Sequence, residues 1–508
     1  MWRLTAFAFG VALLAGAGRA ADVVVVPPGG DLQHALERAR PGDVILLAPG
    51  ATYSGNFVLP VKSGTQFITI RTAHRRSLPV AGQRIGPTHA PYLAKLNSPN
   101  RQPALSTAPG AHHWRLQLLE FSSTADDAGD LVALGDGSDA QRKPEQVPYE
   151  LIVDRCYIHG LPGRPQKRGI ALNSATTSIV DSYIADIKLK GQDAQAIAGW
   201  NGPGPYTIEN NYLEASGENF MLGGADASIP GLVAQDVVFR RNHVSKPLAW
   251  RDEGWVVKNL FELKSARRVL VEANLFEYSW AHGQAGYAIL LTPRNQDGGA
   301  PWATVEDITI RRNIVRHAGA GLQIIGADTD HPSGPTRRIT ISDNLFYDIN
   351  HEKWGGNGAF ALVGNSPSDI TIVHNTIYQS GNILMADGGT KEAPATIPRF
   401  RFADNIARHN LYGVHGSDRA VGADTLTAYF PSADFRSNGI GGGDSRLYPG
   451  GNLFISEEEF ERQFENVAAA DFRLRANSRF RGRGTSGTDL GADVAALMRI
   501  LAPARVGK

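Results

Sequence analysis

Short apolar runs return along the middle of the chain, each alternating apolar with polar positions and each ending at an Asn or small residue followed by apolar ones. They begin at Ile152, Ile179, Thr207, Val237, Val269, Ile308, Ile339, Ile370 and Phe400. Aligned on Cys156, Ser182, Asn211, Asn242, Asn274, Asn313, Asn344, Asn375 and Asn405, the runs are spaced by about 31 residues. The runs are β-branched and aromatic, alternate with period two and are punctuated by Gly and Asn, which predicts strands rather than helical repeats. A leucine-rich solenoid needs a leucine consensus that is missing, and a propeller needs a longer period and antiparallel blades. The pattern therefore predicts an all-β fold, a right-handed parallel β-helix with three short strands per coil of about 31 residues, each coil rising by roughly 4.8 Å.

The recurrent Asn has a physical reason in such a coil. At a tight bend Asn tolerates left-handed backbone, and its amide can bond to the Asn above and below, so Asn211 through Asn405 are expected to form a ladder. Cys156 and Ser182 hold the same position in the first two aligned coils, which reads Cys156 as a small buried bend residue. Asp31 before the stripe Leu32, Ala35, Leu36 and Ala39, stopped by Pro41-Gly42, predicts an N-terminal helical cap. Residues 75–112 and 135–148, with four later Pro/Gly-rich stretches, are expected as excursions, 410–450 as a longer one, and the segment from Glu457 to Leu474 as the far cap.

Residues 1–20 carry a short cationic start, an apolar run from Leu4 to Gly18 and Gly18-Arg19-Ala20, the pattern of a signal peptide cleaved after Ala20. The apolar run is too short to span a bilayer. The expected organisation is a signal peptide over 1–20, a single β-helix domain including its caps over 21–495, and a C-terminal tail over 496–508, in a protein secreted or periplasmic. Composition agrees with one elongated, turn-rich body: Gly 56 and Pro 29 in 508 residues with 20% charged residues. The formal charge of +1 supplies no global field toward nucleic acid or anionic membrane, and a lone cysteine excludes an internal disulfide. No nucleic-acid partner, no membrane span and a monomer are expected.

Leader, helix with Pro41-Gly42-Asp43, turn Ala48-Pro49-Gly50 and repeated Asn signature together resemble the pectate-lyase-like superfamily of right-handed β-helix proteins, including a bacterial subgroup of largely uncharacterised members. That resemblance implies an exported, polysaccharide-active β-helix protein.

Candidate chemistry lies where the charge is locally uneven. No phosphate loop, zinc helix or nucleophile elbow occurs. Residues 240–268 hold eight basic side chains against three acids. In the run from Lys258 to Lys264, alternation turns Phe261 and Leu263 inward and projects Lys258, Glu262 and Lys264 from the outer face. The flanking coils should add Glu218 on one side and Arg294, Asp297 and Gln323 on the other, giving a basic groove three coils long. Leu263-Lys264-Ser265, the bend Asn274-Leu275-Phe276 and an outward Arg on the next coil are similar to the β-helical alginate and chondroitin lyases. By that likeness Lys264 is the base and Arg294 the acid of a β-elimination. From their places along the groove Lys258, Asp297 and Gln323, and as an aromatic platform Trp255, are expected as substrate contacts. That family's paired Glu-x-Glu metal ligands are absent, so no cofactor is assigned and calcium is the one left open. Two other classes stand beside the lyase: a glycoside hydrolase using Glu218 and Glu262, and a non-catalytic carbohydrate-binding protein using exposed tryptophans. The ordinary alternative is exposed ion pairs on a solvated sheet.

Overall fold

The computed structural model describes residues 21–73, 76–126 and 128–502, so the expected leader lies outside the described residues. Three long sheets run side by side. The first has fourteen strands from Val23–Val26 to Asp434–Arg436, the second twelve from Phe57–Leu59 to Val414–Gly416, and the third fourteen from Thr52–Ser54 to Leu453–Ile455. Each strand pairs in parallel with its counterpart one coil earlier and later, which makes the molecule a right-handed parallel β-helix. Alternation decides what enters the lumen: Ile208, Phe239, Val271, Ile310, Ile341, Ile372 and Phe402 stand in register on successive coils of the first sheet. All seven are fully buried, each worth roughly 1.5–3 kcal/mol when withdrawn from water.

The Asn ladder is continuous. Asn211, Asn242, Asn274, Asn313, Asn344 and Asn375 each donate their backbone N–H and their side-chain Nδ2 to the Oδ1 of the next Asn, at 2.8–3.1 Å. The ladder runs past Asn405 to Asn438 and Asn452. At its other end Ser182 N–H donates to Asn211 Oδ1, and Cys156 N–H to Ser182 Oγ. Cys156 is buried, and burial pushes its thiol up to about 12. One detail differs from expectation: the left-handed residue is the one before each Asn, with φ of 55° at Arg241, 56° at Ala273 and 55° at Arg312. The Asn side chain compensates that backbone strain by pairing the bend's own amide.

Asp31 accepts from His34 N–H at 2.9 Å and opens the helix Leu32–Arg38, which buries Leu32, Ala35 and Leu36 against the first coil. The stretch read as a 75–112 excursion contains two coil strands, Ala94–Ser98 and Leu105–Thr107, with a short 3-10 helix, Pro87–Tyr92, before the first and Pro99 and Pro103 in the turn between them. The lumen's far end is closed by the helix Ala423–Tyr429, through Leu426, Tyr429 and Phe430. The segment expected as the far cap does something else. It doubles back along the third sheet, where Phe460, Phe464, Phe472 and Phe480 cover the outward apolar positions Leu275, Ile314, Leu345 and Ile406. The helix Val494–Leu501 belongs to that layer, burying Val494, Leu497 and Leu501, so the boundary expected at 495 falls inside a packed helix.

Candidate functional site

The outer face of the second sheet collects the predicted polar residues. Register places Ala198, Met221, Glu262, Leu290 and Gln323 in one outward row across five coils, while Phe261, Ile289 and Leu322 point into the lumen. Lys264 follows two residues after Glu262 and comes against Gly223, where a Cβ would lie 2.9 Å from Lys264 Cβ and 2.6 Å from Ser265 N. Gly223, at φ +89°, is what lets that lysine lie close to the sheet.

Four of the predicted residues form one charged network. Lys264 Nζ lies 2.8 Å from Glu262 Oε1, and Asn259 Nδ2 donates to Glu262 Oε2 at 2.9 Å. Glu262 is wholly buried while about a fifth of the Lys264 side chain reaches solvent. Lys258 Nζ donates to Asp193 Oδ2 at 2.6 Å and stands 3.6 Å from Glu218 Oε1. Gln195 Nε2 donates to Glu218 Oε2 at 3.0 Å. Burial, then the charges of Glu262 and Asp193, push the Glu218 carboxyl above its usual range against the pull of Lys258 and Gln195. Burial lowers Lys258, but Glu218 and Asp193 outweigh it and hold that ammonium above the usual lysine range. Two buried acceptors facing this network, Gln195 Oε1 and Asn259 Oδ1, have no protein partner.

Arg294 sits one coil on, its N–H bonded to Lys264 O at 3.0 Å. Its guanidinium turns to the next loop, donating to Asp328 Oδ1 at 3.0 Å and Asp330 Oδ2 at 2.5 Å. Asp297 is exposed; its N–H and that of Gly299 donate to Asp226 Oδ2, closing the far wall of the face. Gln323 is half-buried, with Leu290 between it and Glu262.

Two expectations change. The groove is not basic, because of the eight cations in residues 240–268 only Lys258 and Lys264 reach it. Arg240 and Arg241 pair with Glu209, Arg267 bonds Gln235 and Arg268 pairs with Asp236, all on the first sheet. Arg251 covers the rings of Trp280 and Trp354, and Lys246 is interior. Trp255 is only 6% exposed, in a cluster with Trp250, Val257, Trp280 and Trp354, and the ammonium groups of Lys188 and Lys190 lie over its ring. It shapes the wall beside Lys258 rather than offering a sugar platform. The sequence gives less sign of Asp193, Gln195 and Asn259: Asp193 lies just before the strand Gln195–Gly199 and Gln195 opens it, two coils before the charged run, and Asn259 carries no charge.

Calcium calls for six to eight oxygens around one point. Here both buried carboxylates are engaged by ammonium groups, and among the described residues no three His, Cys, Asp or Glu side chains converge on a metal position. The residues do not fit that ion.

No family model matches the sequence, and no curated protein does. Solved structures match over most of the chain. A mannuronic-acid-specific polysaccharide family 6 lyase from human gut microbiota aligns with a TM-score of 0.54 at 14% identity, covering 95% of this chain and 98% of its own. A mutant of the family 6 alginate lyase AlyGC aligns with a TM-score of 0.50 at 14% identity, covering 85% of this chain and 53% of its own. Identity at that level speaks to architecture alone, and with the sheets described above it makes the chain a right-handed parallel β-helix.

Proposed function

We propose that the protein is exported, acts as a monomer and cleaves a uronate-containing polysaccharide by β-elimination on the outer face of the second sheet. The observation that carries this reading is the placement of Lys264 and Arg294 on consecutive coils, with Lys258 and a protonation-prone Glu218 on the preceding side. β-Elimination needs the uronate carboxylate neutralised, its C5 proton removed and the leaving oxygen stabilised. Lys258, with Glu218 beside it, faces the carboxylate. Lys264 takes the C5 proton; the C4–C5 double bond forms as the C4–O bond breaks. Arg294 donates a hydrogen bond to the departing oxygen, which takes its proton from water. Gln195, Asn259, Gln323 and Asp297 contact sugars along the face. The solved mannuronate lyase of the same fold supports this substrate class.

The test is a panel of uronate polymers followed by ultraviolet absorbance of the unsaturated product. A second reading rests on the Glu218 and Glu262 pair, one carboxyl pushed up and the other held by Lys264 and Asn259, which is the division of labour of a glycoside hydrolase. New reducing ends without absorbance would select it, and binding without turnover would reduce the protein to a carbohydrate-binding module.

A further inference from the structure

We propose that the ammonium of Lys246 fills a built-in cation cage that fixes Glu218 and Glu262 relative to each other, the role a bound metal ion would play in a site of this kind. Lys246 is fully buried. Its Nζ lies 2.8 Å from Ala215 O, 3.1 Å from Ser216 O, 2.5 Å from Gly217 O, 2.7 Å from Asn219 Oδ1 and 3.3 Å from Asn259 O. Five oxygens and no other polar atom make the donor set of a hard cation.

The ligands are not scattered. Gly217 and Asn219 flank Glu218 on both sides, so the backbone that carries this carboxylate is held before and after it. Asn259 is on the next coil, and its side chain holds Glu262 Oε2 at 2.9 Å. One ammonium thus ties together the two coils whose carboxylates face the groove. Asn219 Nδ2 locks the near side by donating to Leu213 O and Ser245 O, both at 2.8 Å. Gly217 has no room for a side chain there, since a Cβ would fall 2.5 Å from Ala194 O. The charged groups that act on Lys246 are Glu218 and Glu214, both of which favour the ammonium against the burial that lowers it to about 7. The mismatch between the groove's carboxylates and calcium then has a reason: the cationic centre is covalently supplied, a few ångströms beneath the face rather than on it.

The cage is tested without any knowledge of substrate; only its catalytic consequence rests on the lyase reading. Lys246→Ala leaves a void lined by five oxygens. Millimolar ammonium, methylammonium or potassium chloride should raise the melting temperature of purified Lys246→Ala saturably, with sodium sulfate as the ionic-strength control. Wild type and Lys246→Met, whose apolar chain fills the void, should not respond. Absence of an ion-specific rise, or an equal rise in wild type, overturns the cage. If Lys246→Ala is recovered only from inclusion bodies, its refolding yield should rise with methylammonium and not with sodium sulfate, and an equal yield in both overturns the cage. On a cleaved uronate polymer, wild-type turnover should survive EDTA, and Lys246→Met should lose about 100-fold in kcat with KM kept, the size expected of ångström misplacement. Loss of wild-type activity in EDTA, or full kcat in Lys246→Met, overturns the positioning role. A failure to find any cleaved polymer defeats the lyase reading and leaves the ion-dependent melting to decide the cage.

Discussion

Lys264 and Glu262 stand two residues apart on one strand, and their ammonium and carboxylate meet at 2.8 Å, the acid wholly buried and the lysine reaching solvent. Removing the lysine therefore does two things at once: it strands a buried carboxylate, at about 3 kcal/mol, and it removes the proposed base. Lys264→Arg separates them, because a guanidinium keeps a partner for Glu262 yet does not act as a base near neutral pH. Lys264→Ala should lose both melting temperature and unsaturated product. Lys264→Arg should keep most of the stability and still form no product; product at the wild-type rate from the arginine variant would remove Lys264 from the mechanism.

Lys258 has a different task. Its ammonium is held by Asp193 and stands near Glu218, and in the proposed reaction it meets the uronate carboxylate rather than the proton that leaves. Lys258→Met should weaken substrate binding uniformly, raising KM by about tenfold, roughly the 1.4 kcal/mol of one charged contact, with a smaller change in kcat. A loss confined to kcat would make Lys258 part of the chemistry.

The ladder and the groove were legible in the sequence to different depths. Asn211 to Asn405 recur because every coil must solve the same local problem, an amide at a left-handed bend, with one side chain. The ladder's last rungs are hidden for two reasons: Asn438 lies inside the stretch that reads as an excursion over 410–450, and the step from it to Asn452 is only 14 residues. Alternation placed Glu262 and Lys264 on the outer face, since Phe261 and Leu263 had to enter the lumen. The excess of basic residues misled because a stretch of chain longer than one strand visits more than one face: Arg240, Arg241, Arg267 and Arg268 lie on the first sheet with their own acids. Lys246 reads as one more surface cation, and nothing local to it announces four oxygens gathered from the preceding coil and a fifth from Asn259 further along its own.

Glu218 should make stability fall as pH rises. Its folded carboxyl is held above the unfolded value by burial and by Glu262 and Asp193, so the native state binds more protons than the unfolded chain between those two values, and raising pH through that window costs stability. Glu218→Gln removes the group that must ionise inside the protein. Its melting temperature should match wild type near pH 4 and exceed it increasingly toward pH 8. A gap that is constant with pH, or that opens only on the acid side, would show that Glu218 titrates as an ordinary carboxylate.

Asn313 tests whether the ladder holds the coils together or merely accompanies them. Its Nδ2 donates to Asn344 Oδ1, Val271 O and Arg311 O, and its Oδ1 accepts from the N–H and Nδ2 of Asn274. Asn313→Leu keeps the branching and heavy-atom count of the side chain and leaves several buried polar groups without partners, including the Asn274 backbone N–H. The expected cost is about 2–4 kcal/mol, the sum of a few unsatisfied groups with some relaxation. Asn452, the last rung, is half-buried; its Nδ2 donates to Phe435 O and Pro449 O, and its Oδ1 accepts from the N–H and Nδ2 of Asn438. Water can replace part of what Asn452→Leu removes, so that variant should lose about 1 kcal/mol or less. Denaturant midpoints of the two variants decide the matter: equal small losses would mean that parallel strand pairing carries the bends unaided, and a large loss at Asn313 alone would establish the buried amide column as a structural spine.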